Sequence, residues 1–460
     1  MNFEPINEEN LPILRAFKAQ DPLEISDFSE SYTRFWRSDY YHVDVGLAPD
    51  YALLRATLGH RQYFVPVGKL SPSTPLHGQT YLTDSPISGC LCREIPGCAD
   101  YIYSAQGLAE LKGSKFQQKR NHIHRFEELG PWHTGPVNVP DCLQVLNEWL
   151  SNHPVDEELV TEVETLRQIL STSTPLHGLT LYSNSKPVGF ALGERLSPTM
   201  ILESFEKALP DVQGAFPMVT REFARLALKE GYTLINRAGA DGHPNLVKAK
   251  ESWHPIERRA KYWCTPSRAQ FTTGACQGSG HSCPRASEAQ DIINLWSLVF
   301  GDAPAAIEYF LSQKLTDDNC LIIYEEGKLV AAGFFLEQPD DTRYVYALMT
   351  HPDYRHRGYA TELIRAAQAI YAEPLTLVAE PAPSGTRTLL SAESEAQNLL
   401  SFYENLGFRI SHPAHERTIE LDDFAREFYK LDGVAGPVTC NAPTLTWPLL
   451  PGYEVPLPLN

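Results

Sequence analysis

The segment that most constrains the fold runs from Arg343 to Tyr371 and reads as a strand, a basic loop and a helix. Apolar residues at 344–350 predict the strand, and apolar residues at helical spacing after Ala360 predict the helix. Such an order presents unpaired backbone N–H groups at the positive end of a helix dipole, which suits a phosphate or pyrophosphate. Gly358 lets a ligand approach the backbone closely. The alternative is an ordinary strand-to-helix crossover whose basic loop is only solvated.

The loop sequence Arg355-His356-Arg357-Gly358-Tyr359-Ala360 resembles the Arg/Gln-x-x-Gly-x-Gly/Ala signature of the GNAT N-acetyltransferases. Downstream, the sequence FYENLGF at residues 402–408 is similar to the late helix and strand of the same family. Two matching segments in the family's order make this a specific signal. The resemblance implies a domain that uses acetyl-CoA as a co-substrate, needs no metal and acetylates a small-molecule or peptide amine.

The same resemblance implies roles for individual residues. Backbone N–H groups of the strand, at Leu348, Met349 and Thr350, would polarise the thioester carbonyl. Tyr403 aligns with the tyrosine that protonates the departing sulfur, since a phenol of pKa about 10 is protonated at neutral pH. The alternative for Tyr403 is a packed aromatic residue on an amphipathic helix. CoA itself would be held by the loop residues, namely Arg355, His356, Arg357, Gly358, Tyr359 and Ala360, with the two arginines pairing with phosphates.

The sequence indicates a general base less clearly. Glu380 follows a short predicted strand at 375–379, where a carboxylate could accept a proton through water. An exposed surface carboxylate is the alternative interpretation of Glu380, and the sequence leaves both open.

A second resemblance covers about residues 20–263. It rests on the segments 101–104, 119–126, 206–208, 213–219, 235–237 and 246–255, which are similar to soluble relatives of the phosphatidylglycerol lysyltransferase C-terminal domain. That domain consists of two GNAT-like folds in tandem, akin to the Fem transferases, and characterised relatives take an aminoacyl group from a charged tRNA. The loop at 211–216 lacks the arginine-led signature, so we do not expect it to grip a CoA pyrophosphate.

A basic segment at 111–126 lies within this second resemblance. Its apolar residues can line one face of a helix, with Lys115, Lys119 and Arg120 beside that face. One interpretation is a solvated helix face. The other is a surface for an anionic partner, such as the acceptor end of a tRNA.

Together the two resemblances predict an α/β (α+β) chain with three GNAT-like acyl-CoA N-acyltransferase folds in tandem, built on mixed central sheets flanked by helices. The succession of helices, hairpin, strand, loop, helix and strand occurs both at 138–265 and at 286–410, which favours related domains. We therefore predict lobes at 1–135 and 136–265, a glycine-rich linker at 266–285, and a GNAT domain with a proline-rich tail at 286–460.

Composition narrows the classes of function. The 460 residues carry a net charge of −18, which disfavours a broad nucleic-acid surface but not a local basic patch. No apolar run reaches the roughly 18–20 residues that span a bilayer, so we expect a cytoplasmic protein and no membrane-lipid substrate. The nine cysteines are irregularly spaced and lack zinc-site spacing, which predicts reduced thiols and no metal.

Three hypotheses of function follow. In the first, the C-terminal GNAT domain transfers an acetyl group from acetyl-CoA to an amine. In the second, residues 1–265 carry an aminoacyl-tRNA-dependent transferase whose RNA contacts include Lys115, Lys119 and Arg120. In the third, residues 1–265 are a non-catalytic binding platform that recruits substrate for the C-terminal domain.

Overall fold

The computed structural model describes residues 1–20, 24–38, 41–58, 61–68, 80–151, 157–172, 177–240, 242–272, 286–378, 392–412, 417–419, 438–440 and 444–447. The chain divides into two compact units. The first contains Met1–Pro86 and Glu94–Trp263, and the second contains Ile87–Arg93 and Cys264–Asn460. The second unit therefore includes a short segment from far upstream in the chain.

The first unit begins with a sheet and one long helix. These elements are β1 (Phe3–Pro5), α1 (Leu11–Gln20), β2 (Tyr41–Leu47), β3 (Ala52–Leu58), β4 (Arg61–Val67) and β5 (Tyr81–Thr83). The strands lie side by side in chain order, antiparallel from β1 to β4. Short helical turns at Ser26–Phe28 and Ser31–Phe35 precede β2. Apolar side chains of α1 and β2–β4 alternate into one shared core, as period-two strands require.

The second sheet has seven strands, as the first has, and is flanked by most of the unit's helices. After β6 (Cys90–Glu94), the chain forms β7 (Asp100–Ser104), α2 (Ala105–Glu110), α3 (Gln117–Glu127), β8 (Trp132–Gly135), α4 (Val139–Leu150), α5 (Glu157–Ser171), β9 (His177–Ser183), β10 (Lys186–Arg195), β11 (Met200–Ala208), α6 (Ala215–Lys229), β12 (Leu234–Asn236), α7 (Pro244–Glu251), β13 (Glu257–Arg259) and β14 (Tyr262–Pro266). The strand order of the second sheet is β13-β7-β12-β11-β10-β9-β8, whereas β14 and β6 extend the first sheet beyond β5 in the order β5-β14-β6.

A buried charge cluster joins distant parts of the first unit. The Asp100 carboxylate is fully buried and lies 2.8 Å from Lys261 Nζ. It also accepts hydrogen bonds from Ser26 N at 2.6 Å and from Asn236 Nδ2 at 2.8 Å. Asp27 pairs with the same lysine. Because a buried carboxylate needs this full set of donors, the cluster fixes the turn at Ser26–Phe28 against the second sheet.

The second unit contains the third sheet. Its elements are β15 (Gln270–Phe271), α8 (Ala286–Phe300), α9 (Pro304–Lys314), β16 (Cys320–Glu325), β17 (Lys328–Glu337), β18 (Arg343–Thr350), α10 (Tyr359–Ile370), β19 (Leu375–Val378), α11 (Ala392–Asn405), β20 (Arg409–His412), β21 (Arg417–Ile419), β22 (Val438–Cys440) and β23 (Thr444–Trp447). The sheet order is β15-β16-β17-β18-β19-β23-β20, and β21 pairs with β22 separately. Helices α8 and α9 share a core with one face of the sheet, and α10 shares a core with the other.

The second and third sheets share an unusual plan. In each, a long antiparallel pair is followed by a parallel strand that pairs over only a few residues: β11 with β12 at Met200–Leu202, and β18 with β19 at Arg343 and Tyr344. In each, the central strand also carries a bulge against its antiparallel neighbour. The predicted α/β class with GNAT-like folds in tandem is confirmed by this repeated architecture of mixed sheets and flanking helices.

The upstream segment Ile87–Arg93 is an integral part of the second unit. Leu91 is buried in the core of that unit, and Arg93 donates to Asp318 Oδ2 from Nε at 3.2 Å and from Nη2 at 3.1 Å. Cys92 forms a disulfide with Cys264, 172 residues away. The prediction that the cysteines are all reduced thiols is wrong for this pair, because two strands distant in sequence place their sulfur atoms within bonding distance.

Two further findings concern the described part of the chain. No helix there combines the length and the apolar character that crossing a bilayer requires. Among the same residues, no group of three or more His, Cys, Asp or Glu side chains is placed to hold a metal ion.

Candidate functional site

The candidate site lies where β18 bulges and parts from β19. Ala332 pairs with Met349 and Phe334 with Tyr346, so two β18 residues, Ala347 and Leu348, stand opposite one residue of β17. Ala347 has a positive φ of 48°, which a bulge residue can adopt at a cost. Beyond Tyr344 the described residues of β18 and β19 no longer pair. Backbone groups near the bulge are therefore available to a ligand.

Two of the strand residues predicted to contact cofactor, Leu348 and Thr350, are partly exposed, whereas the side chain of Met349 is buried. The buried side chain of Met349 packs in the core shared with α8 and α9. Only the backbone of Met349 can therefore take part in a site. A backbone role is what the resemblance implies for all three residues.

The loop after β18 has the predicted conformation, a turn between a strand and a helix start, and its role in binding phosphate stays a prediction. A short turn at Pro352–Tyr354 is capped by His351, whose Nδ1 accepts from Asp353 N at 3.3 Å. His356 then has φ 61° and Gly358 has φ 85°, and Gly358 is the N-cap of α10. Left-handed residues in such a turn direct successive N–H groups toward one side, which makes an anion-binding concavity.

Space above the loop is open. A Cβ placed on Gly358 would meet no atom within 4 Å. The first N–H groups of α10 have no intrahelical partner, as at any helix start. No side chain of the N-cap residue bonds to them either. His356 and Arg357 are exposed and Arg355 is partly exposed, while Tyr359 is buried beneath the loop. Arg357 lies 4.8 Å from the Tyr354 ring. An anion that reaches this point meets backbone donors, a helix dipole and two arginines.

Tyr403 lies on α11 and is mostly buried in the core that α10 shares with the sheet. Its ring packs 5.0 Å from Phe402 and 5.6 Å from Phe408, so the packed-aromatic interpretation describes its surroundings correctly. Burial, with a smaller contribution from Tyr344, raises the pKa of the Tyr403 phenol. The hydroxyl therefore stays protonated at neutral pH, as a proton donor must. The other predicted catalytic residue, Glu380, falls outside the described residues.

The corresponding position in the second sheet is closed. Gly214 caps α6 with φ 83°, much as Gly358 caps α10. A Cβ on Gly214 would lie 2.1 Å from the backbone oxygen of His122 and 3.0 Å from Phe126 Cβ, because α3 packs directly over the start of α6. The basic segment thus occupies the space that a pyrophosphate would need. The expectation that the loop at 211–216 grips no CoA agrees with this packing.

A charged cluster that the sequence did not reveal occupies the region where β11 and β12 part. Glu203 lies 2.5 Å from Arg237 Nε, and Arg237 also pairs with Glu206. Thr220 donates to Glu206 at 2.6 Å. Burial raises the pKa of Glu203 to about 8, against the opposing effect of Arg237. The available signal was two acidic residues, Glu203 and Glu206, within a mostly buried strand.

The three predicted RNA contacts are in different surroundings. Lys115 is exposed, whereas Lys119 is half-buried, with Nζ 4.2 Å from the Trp253 ring and 2.7 Å from Ser252 Oγ. Arg120 donates to backbone oxygens of the loop before α3, including that of Gly113 at 2.7 Å. Lys119 thus shares the Trp253 ring with Arg237 of the Glu203 cluster, whose guanidinium carbon lies 5.9 Å from that ring, and Arg120 braces a loop.

Comparison with known proteins matches two segments of the chain to family models. Residues 84–265 match the family model of the phosphatidylglycerol lysyltransferase C-terminal region. Residues 316–410 match the model of the GNAT acetyltransferase domain. No protein with a curated description is similar enough to this chain to count as a match.

Solved structures are similar to separate parts of the chain. A conserved protein of unknown function from Bacteroides thetaiotaomicron VPI-5482 is 27% identical, covers 57% of this chain and 99% of its own, and has a TM-score of 0.51. L-PGS from Bacillus licheniformis is 16% identical over 57% of this chain and 93% of its own, with a TM-score of 0.40. A GNAT family acetyltransferase from Bacillus cereus ATCC 10987 is 16% identical over 35% of this chain and 90% of its own, with a TM-score of 0.23.

The family match at 316–410 includes the bulge of β18, the loop at Gly358 and Tyr403. It supports an acyltransferase activity of generic type for the second unit. The chain therefore joins a segment that matches the phosphatidylglycerol lysyltransferase C-terminal family model to a segment that matches the GNAT acetyltransferase domain model.

Proposed function

We propose that the protein is a cytoplasmic N-acetyltransferase that transfers the acetyl group of acetyl-CoA to an amine through its second unit. The observation that carries the proposal is the open, left-handed turn at Gly358, placed between the bulged strand and α10. It lies in the segment that matches the GNAT domain, and its donors suit a pyrophosphate. The acceptor, a small-molecule or peptide amine, belongs to the same proposal.

In the proposed reaction, N–H groups near the β18 bulge bind the thioester oxygen. A neutral amine attacks the carbonyl carbon, the C–S bond breaks, and the amine loses a proton to a base, for which Glu380 remains the proposed residue. The leaving thiolate takes a proton from the Tyr403 hydroxyl. Acyl transfer is usually accelerated by hydrogen-bond donors to the oxyanion and by a positioned general acid.

The experiment that tests the proposal is thermal unfolding of the full chain with acetyl-CoA. The full chain is required because Ile87–Arg93 forms part of the second unit. A ligand at about 100 times its Kd stabilises the unit to which it binds by about 2.7 kcal/mol, so its unfolding transition should move upward. No shift with acetyl-, propionyl- or longer acyl-CoA would contradict the proposal.

Replacing Tyr403 with phenylalanine is expected to lower kcat about 10²-fold or more while leaving the Kd for acetyl-CoA unchanged, because only the acid of the leaving step is removed. The ring and its packing against Phe408 are kept. Acetyl transfer to a panel of amines measures kcat, and calorimetry measures Kd. Phe402→Leu is a control on the neighbouring aromatic residue. An unchanged kcat in Tyr403→Phe would remove Tyr403 from the mechanism.

We also propose, as a second candidate, that the first unit takes part in aminoacyl transfer from a tRNA. The favouring observation is the Glu203–Arg237–Glu206 cluster in the gap between β11 and β12, beside a position that α3 closes to CoA. A carboxyl whose pKa is about 8 can exchange a proton with an amine. The non-catalytic platform is the competing proposal for this unit.

Replacing Lys115 and Lys119 together with alanine is expected to weaken tRNA binding, because each phosphate contact contributes about 0.7–0.9 to the salt slope. The slope of log affinity against log salt should become shallower by about 1.4–1.8. Filter binding over a salt series measures it, and Lys229→Ala, exposed at the end of α6, is the matched control. Equal slopes in the double variant and the control would count against an RNA surface on α3.

A further inference from the structure

An acidic side chain lies one turn into the helix that would hold the pyrophosphate. Glu362 is in the first turn of α10, four residues after the cap Gly358, or about 6 Å along the helix axis. A carboxylate at this position stabilises the helix but opposes a second anion at the same helix end. A phosphate site at Gly358 therefore requires something to offset the charge of Glu362.

Arg268 supplies that charge from outside the helix. Its Nε and Nη2 donate to Glu362 Oε2 at 3.0 and 2.6 Å, and its backbone N donates to Oε1 at 2.7 Å. Ser267 Oγ adds a longer contact to Oε1 at 3.4 Å. Both guanidinium donors go to one oxygen and the backbone N–H goes to the other, so one short segment holds both oxygens of the carboxylate through charge-assisted hydrogen bonds.

The same arginine also contacts the helix start itself. Its guanidinium carbon lies 4.9 Å from the ring of Tyr359, the first residue of α10 and the residue after Gly358. Ala269, next in the chain, is buried in the core that α10 shares. The segment is therefore anchored, and the position of Arg268 relative to the loop is set by packing as well as by charge.

We propose that Arg268 is a positioning residue of the acyl-CoA site, which neutralises Glu362 and so keeps the start of α10 attractive to the pyrophosphate of CoA. This inference rests on the proposed function of the second unit. Arg268 need not touch the ligand, since Nε and Nη2 are directed to Glu362 and Nη1 lies 3.6 Å from Glu325 Oε2. Its effect is exerted through the charge that it cancels.

The test is a double-mutant cycle in the full chain, with the Kd for CoA measured by calorimetry. Arg268→Ala should raise the Kd about five- to tenfold, since it exposes one negative charge within about a screening length of the phosphates. Adding Glu362→Gln should return the Kd to within about twofold of the wild type, because the unmasked charge is then absent. Arg365→Ala, exposed one turn further along α10, is the matched control and should change the Kd less than twofold.

The outcomes separate this inference from the proposed function. Wild-type protein that binds no CoA overturns the proposed function. Wild-type binding with an unchanged Kd in Arg268→Ala overturns only the role of Arg268. A double variant as weak as Arg268→Ala also overturns it, because the arginine would then act by direct contact or by holding the fold. The charge mechanism further requires that the effect of Arg268→Ala shrinks as salt rises, which a purely structural loss would not show.

Discussion

Replacing Gly358 with glutamate is expected to weaken acyl-CoA binding by about 100-fold or more. Gly358 has φ 85°, a conformation that costs an ordinary residue about 1–2 kcal/mol, and its missing Cβ faces open space. A glutamate would place a side chain and a negative charge where the pyrophosphate is expected to bind. Each 1.4 kcal/mol is tenfold in Kd, so steric exclusion and charge repulsion need to contribute about 2.8 kcal/mol together to reach this size.

Gly327→Glu is the matched control for this substitution. Gly327 lies in the turn between β16 and β17, has φ 78°, and would also meet no atom with its Cβ. Both variants therefore introduce the same side chain, charge and backbone strain into the same unit. Calorimetry with acetyl-CoA should show wild-type affinity for Gly327→Glu and none for Gly358→Glu. If Gly358→Glu binds within about threefold of the control, the loop is not the CoA site.

Replacing Lys261 with methionine is expected to destabilise the first unit by about 3–5 kcal/mol, because it leaves buried carboxylates without their cation. Lys261 is itself buried and bridges Asp27 and Asp100, the latter fully buried. For a unit of this size the midpoint of thermal unfolding should fall by roughly 10 °C. Methionine keeps most of the volume of the lysine side chain, so the loss of stability reports on the missing charge rather than on a new cavity.

Arg258→Met is the control for the lysine substitution. Arg258 pairs with Glu251 but keeps a side chain 60% exposed, and exposed pairs contribute at most about 1 kcal/mol. Scanning calorimetry of the full chain distinguishes the unfolding of the two units. Lys261→Met should shift the transition of the first unit and leave that of the second near its wild-type position. Equal small shifts in both variants would show that the cluster is not a major source of stability.

The loop at Gly358 could be predicted because its structure is local. Its strand, glycine and helix start lie within one short stretch, and their backbone preferences agree with one another. The closed position at Gly214 could be predicted only in part. The sequence showed that the loop at 211–216 lacks the arginine-led signature. The close contact between His122 and Gly214, however, depends on how α3 packs over α6.

Features that depend on distant residues were not predictable from pattern. Cys92 and Cys264 are 172 residues apart, and pairing between cysteines cannot be deduced from spacing alone. Glu203 and Arg237 meet only because β11 and β12 are neighbours in the sheet. Arg268 is likewise 94 residues from Glu362, in a stretch that composition marked as a linker. A charged residue in a strand or a linker gives no information about which side chain it pairs with until the fold is known.

The position of bound CoA in a crystal structure of the full chain tests most directly whether the Gly358 loop is the acyl-CoA site. We expect the pyrophosphate oxygens to lie about 2.7–3.2 Å from backbone nitrogens of residues 357–360, with the thioester end of CoA toward the bulge of β18. CoA found elsewhere, with the loop at Gly358 empty, would contradict it.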